Sequence, residues 1–106
     1  MADLLYMDVI ERFTGEQFDE AFAFSGIVPE GTSVNTATVT ITQSDGTSLT
    51  DSVLINKTIS STTVTLTLKM PSSECSFVVK VAVVASDLTP SVRAKLFNVS
   101  SLGVFA

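Results

Sequence analysis

An all-β domain, an antiparallel sandwich of two sheets, is what this sequence predicts, on three observations. The run Thr36-Ala37-Thr38-Val39-Thr40-Ile41-Thr42 alternates polar and apolar residues, the period of a half-buried strand. Similar alternation recurs down the chain, broken by Gly, Pro, Asn, Asp and Ser at spacings that give about seven short strands. A length of 106 residues, with 45% hydrophobic and 16% charged, suits one folded domain spanning residues 1–106.

The elements follow in order. Residues 1–14 read as an N-terminal arm or edge strand, with Asp3 as an alternative cap for a short helix. Gly15 breaks that segment, and Phe18 to Phe24 reads as a strand whose Phe18, Phe22 and Phe24 share a face with Glu20, an odd companion for three phenylalanines. Gly26-Ile27-Val28-Pro29-Glu30-Gly31 is a loop, because Pro29 lacks a ladder donor and Gly31 permits positive φ. The strand over 36–43 sends Ala37, Val39 and Ile41 inward. Ser44-Asp45-Gly46-Thr47 then predicts a tight primed hairpin turn, with Leu49 to Ile55 returning antiparallel.

Residues 56–61 read as a connection, and Thr63 to Met70 alternates again with Val64, Leu66, Leu68 and Met70 inward. Phe77 to Ala85 is apolar on much of both faces, as a central strand would be. Leu88-Thr89-Pro90-Ser91 is a turn. Val92 to Val99 reads as the last strand, with Ala94 and Leu96 inward, Arg93 and Lys95 outward, and an open edge free to join a neighbour's sheet. A C-terminal tail, residues 100–106, carries Leu102, Val104 and Phe105. Ser and Thr make up about a quarter of the chain, mostly at outward strand positions that favour β-branching.

Composition removes several function classes. A net charge of -5 repels phosphate backbones and anionic surfaces, so neither nucleic acid nor membrane is expected as a partner. The chain has no His, so no nucleophilic triad can be assembled. Asp19 and Glu20 are adjacent and point to opposite faces of a strand. Ser44-Asp45-Gly46-Thr47 lacks the spaced carboxylates of a calcium loop. Cys75 has no second Cys to pair with and no base to activate it, and reads as a buried or strand-start thiol. No enzyme is expected, with no catalytic residue, no metal ligand set and no cofactor. The start of the chain shows neither a basic region nor an apolar run of signal length, so no leader is expected. Sugar platforms usually need exposed Trp or Tyr, and here Tyr6, Phe13, Phe97 and Phe105 are what is available, with about two of those three phenylalanines expected to be buried.

The stretch Glu16-Gln17-Phe18-Asp19-Glu20-Ala21-Phe22-Ala23-Phe24-Ser25, then Val28-Pro29-Glu30-Gly31, the Thr/Val strand from Ala37 to Ile41 and the Asp-Gly hairpin resemble the small immunoglobulin-like domains of tailed-bacteriophage virion proteins. The resemblance spans residues 16–86. It departs in having no Trp near the opening strand and an apolar tail after the last. It implies an immunoglobulin-like sandwich with apolar terminal arms. It also implies a structural subunit of the virion, either a capsid decoration or cement protein or a neck or tail adaptor. Such a subunit would reside in the particle, form a homo-oligomer there and contact other capsid, neck or tail proteins. Leu4, Leu5, Tyr6, Met7, Leu102, Val104 and Phe105 are then the expected docking residues, since apolar clusters at chain ends need a surface to cover them. The alternative is a module that binds glycans or receptors at a phage or cell surface through loops such as 26–35 and 87–91.

Overall fold

A computed structural model describes residues 8–101. Its elements are β1 (Asp8–Phe13), β2 (Gln17–Ala23), β3 (Val34–Gln43), a helical turn α1 (Thr50–Val53), β4 (Leu54–Ser60), β5 (Thr63–Lys69), β6 (Cys75–Ala85) and β7 (Pro90–Ser100). A four-stranded sheet ordered β1-β7-β6-β3 packs on a three-stranded sheet ordered β2-β5-β4. This is an immunoglobulin-like β-sandwich. All neighbours are antiparallel except β1 and β7, which run parallel.

Alternation decides what fills the space between the sheets. Phe77, Val79, Val81 and Val83 of β6 are buried against Phe22 of β2 and Val64, Leu66 and Leu68 of β5. Phe97 of β7 is fully buried, its ring 5.6 Å from Phe77 and 5.9 Å from Phe18. No described polar side chain is buried in this core. Phe97 is therefore no surface anchor, whereas Phe13 is 43% exposed.

The hairpin after β3 differs from the primed turn and returning strand that an Asp-Gly pair suggests. Gly46 N–H donates to Gln43 O and Gln43 N–H to Thr47 O, and only Gly46 of the turn has positive φ, at 91°. That is a type I turn closed by one left-handed residue. Asp45 Oδ1 accepts the Thr47 N–H at 2.9 Å. That bond, seconded by the Thr47 hydroxyl, holds the Asp45 carboxyl below its ordinary range. A lowered pKa means the bond stabilises the turn above the unfolded value and is lost as pH falls through the lowered one. The Thr47 amide resonance is therefore expected to titrate below the ordinary carboxylate range.

After one bridge between Thr42 and Ser48, the chain leaves β3. Thr50 Oγ1 accepts the Ile41 N–H at 3.0 Å, α1 buries Val53, and β4 joins β5 in the other sheet. Residues 54–60 are thus a strand and no connection. Val53, at this crossing from one sheet to the other, is fully buried in the core.

β7 also corrects its expected orientation. Arg93 and Lys95 lie opposite the buried Val81 and Val79, so they point inward, and Ala94 and Leu96 point outward. β7 is bonded on both sides, to β1 and β6, and its residues 95–100 have no open edge to offer a neighbour.

Candidate functional site

Two groups of side chains stand out from the scaffold. The first lies between the edges of the sheets. Glu20 on β2 points inward, with Lys95 Nζ 2.6 Å from its Oε2 and Arg12 Nη2 4.0 Å from its Oε1. Lys95 also donates to Ala21 O at 2.7 Å and sits 4.5 Å over the Phe22 ring. Arg93 donates to Ala23 O at 2.9 Å, and Arg12 stacks over Phe18 at 4.4 Å. β2 is an edge strand, so Ala21 and Ala23 carbonyls would otherwise face solvent as a template for another chain. The basic side chains of β7 occupy them. Lys57 of β4 does the same at the opposite edge, donating to Ala37 O of β3 at 2.6 Å. These contacts tie the two sheets together along their edges. Asp19, on the other face, accepts the Thr67 hydroxyl at 2.7 Å, so the adjacent carboxylates stay apart.

The second group lies where the chain turns at one end of the sandwich. Phe24 O accepts the Ile27 and Val28 N–H groups, Pro29 O accepts that of Thr32, and Gly26 and Gly31, at φ of 80° and 85°, let the loop double back. Val28 enters the core and anchors the loop. Phe24 N–H donates to Thr62 O, Val34 N–H to Ser61 O and Ser86 N–H to Ser33 O, each at 2.8 Å. Three connections are thus tied into one rigid end. They enclose a depression of about 630 Å³, lined by Ile27, Val28 and Pro29 with hydroxyls from Ser25, Thr32, Thr62 and Thr89.

Beside it, the turn between β6 and β7 repeats the turn after β3. Leu88 N–H donates to Ala85 O, Ala85 N–H to Thr89 O, and Asp87 Oδ1 accepts the Thr89 N–H at 3.1 Å. The sequences correspond, Ser44-Asp45-Gly46-Thr47 and Ser86-Asp87-Leu88-Thr89. The left-handed position holds Gly46 in one and Leu88, at φ 73°, in the other. Leu88 is 77% exposed. A bulky residue there is strained where glycine is not, and this leucine recovers nothing by burial. The two tetrapeptides could have been aligned in the sequence, where the Gly-to-Leu difference is visible. Its meaning required the shared φ.

None of the expected docking residues can be placed: Leu4, Leu5, Tyr6, Met7, Leu102, Val104 and Phe105 lie outside the described residues. Cys75 is a half-buried free thiol at the start of β6. Among the described residues no three His, Cys, Asp or Glu side chains gather where they could hold a metal ion. No described helix is long and apolar enough to cross a membrane.

No family model matches the sequence, and no curated protein is significantly similar to it. Among solved structures, the chain is similar to CopC from Methylosinus trichosporium OB3b, with 19% identity and a TM-score of 0.57 over 91% of this chain and 85% of that one. That likeness is one of fold. It corrects the resemblance to phage domains, because a solved structure similar over 91% of this chain is a CopC and not a virion protein. The virion-subunit function and the virion location fall with it, as does the glycan- or receptor-binding alternative at a phage or cell surface. The motifs behind that reading are strand alternation and turn residues, which any sandwich of this topology needs.

Proposed function

We propose that this chain is a non-catalytic contact module, whose sandwich is a rigid support and whose loop end around Leu88 seats on another polypeptide. Leu88 carries the reading. The turn after β3 forms with glycine by the same bonds, so the turn itself does not require a leucine at its left-handed position. A flexible-tipped apolar side chain beside a depression that joins Ile27, Val28 and Pro29 to Glu30 and four hydroxyl residues suits insertion of Leu88 into a partner while a partner side chain enters beside Ile27 and Pro29. The acidic net charge argues against nucleic acid or membrane as that partner. No activity is carried over from CopC, since fold alone does not transfer one.

The reading makes an unusual demand. Leu88→Gly removes about 1–2 kcal/mol of left-handed strain, set against about 0.5–1 kcal/mol of glycine backbone entropy, for a net gain of up to about 1.5 kcal/mol. Melting is expected to rise by a few degrees while contact is lost. A photo-crosslinking leucine analogue at position 88, in the cells that make the protein, is expected to capture a defined polypeptide. A crosslinker at Asp45, the matching turn at the other end, is expected to capture none. Equal capture at both positions, or none at either, refutes the proposal.

A further inference from the structure

The outward faces of the two sheets differ in chemistry. Outward positions of the three-stranded sheet are mostly polar, among them Gln17, Asp19, Thr58, Thr65 and Thr67, with Ala21 and Ala23 on β2 and the exposed Ile55 at the β4 bulge as the apolar exceptions. On the four-stranded sheet the register lines up Val9, Leu96 and Val78 with Thr42 in one row, and Val92 and Ala82 with Thr38 in another. Val9 and Val92 are 56% and 49% exposed. An antiparallel sheet with one wet face should read apolar inward and polar outward. The three-stranded sheet largely does so, whereas the four-stranded sheet sets Val9, Leu96, Val78, Val92 and Ala82 side by side on its outward face.

We infer that the outward face of β1-β7-β6-β3 is the interface of a two-fold symmetric dimer, its occupant a second copy of this chain. Strands of six, eleven, eleven and ten residues, at about 3.3 Å per residue and about 4.8 Å per strand, give a face on the order of 600 Å². Standard interfaces bury about 600–1,000 Å² per partner, and one such face reaches the lower end of that range. Charge favours self-pairing. The outward strand positions carry one cation, Lys80, and one anion, Glu11, whose carboxylate is held in place by Asn98 Nδ2 at 3.2 Å. Lys80 lies beside Ala94 of β7 and Glu11 beside Asn98, so Leu96 is midway between them in both directions. A two-fold axis lying in the interface and passing Leu96 brings Lys80 of each copy over Glu11 of the other. It also sets Leu96 against its own copy, flanked by Val78 and Val9, an apolar centre with a charged rim.

The test is the oligomeric state of the full chain by sedimentation across a concentration series. The expected result is a reversible dimer that Lys80→Glu weakens by about tenfold or more and that Lys80→Glu with Glu11→Lys restores. Leu96→Asp, which opposes two carboxylates at the axis, is expected to give a monomer. If that variant fails to fold, the exposed Lys80 and Glu11 pair decides the matter alone. Leu88→Gly is expected to leave the dimer unchanged, which separates this interface from the loop end. A monomer at every concentration overturns the proposal, whether another protein or the chain's own ends then cover the face. So does a dimer whose dissociation is indifferent to Lys80→Glu and Leu96→Asp.

Discussion

Glu20→Ala is expected to lower the unfolding free energy by about 2–3 kcal/mol, measured by urea denaturation. The side chains of Glu20 and Lys95 are 16% and 11% exposed, so removing the carboxylate leaves an ammonium group largely out of water. Losing one partner of a fully buried pair costs about 3–5 kcal/mol. The figure here sits lower because Lys95 keeps the Ala21 carbonyl and the Phe22 ring. Glu20→Leu combined with Lys95→Met is expected to recover much of that stability, since an ion pair replaced by apolar volume often costs little. The double variant nevertheless loses its donor to the open edge of β2, and light scattering is expected to show aggregation absent from the wild type. A double variant that stays monodisperse would show that Lys95 does not protect the edge.

Phe97→Ala is expected to cost about 3–5 kcal/mol, the largest effect of any single change proposed. The ring is fully buried between Phe18 of the facing sheet and Phe77 of its own, so truncation leaves a cavity that two rigid sheets close poorly. Against a typical stability of about 5–15 kcal/mol, the variant keeps a folded population only if the wild type is well above the lower bound. Phe97→Leu, which fills much of the volume, is expected to cost about 1–2 kcal/mol. The measurement is the urea midpoint at unchanged slope. A midpoint shift no larger for Ala than for Leu would mean that the space between the sheets collapses around the site.

The fold class and most strands were legible because a period of two is a local property. Thr36–Thr42 and Thr63–Met70 each declare an inward face through one set of alternate residues. Val92–Val99 does not, since Ala94 and Leu96 compete with Phe97 and Val99 for the inward face. Long basic chains also reach water or a carbonyl from an inward position at the rim, which made Arg93 and Lys95 look like outward residues. Glu20 looked out of place for the same reason. Its partners are 75 and 8 positions away, and no local pattern brings them together. Residues 49–60 depart from the expected returning strand and connection because a hairpin signal specifies the turn and not which sheet the chain enters next. Leu88 was read only as part of a turn, since backbone φ is invisible in a sequence.

The parallel pair of β1 and β7 has a consequence for how the molecule is made. Asp8 sits beside Lys95, eighty-seven positions later, and all of β1 depends on that one neighbour for its ladder. During vectorial synthesis β1 emerges first and stays unpaired until β7, the last described strand, has left the ribosome. Closure over so long a span is slow. A chain stalled before Pro90 therefore presents β1 and the unshielded carbonyls of β2 together, since Arg93 and Lys95 have not been added. Nascent chains truncated at residue 89 are the species in which misassembly should concentrate, and those extended through residue 100 are where it should disappear.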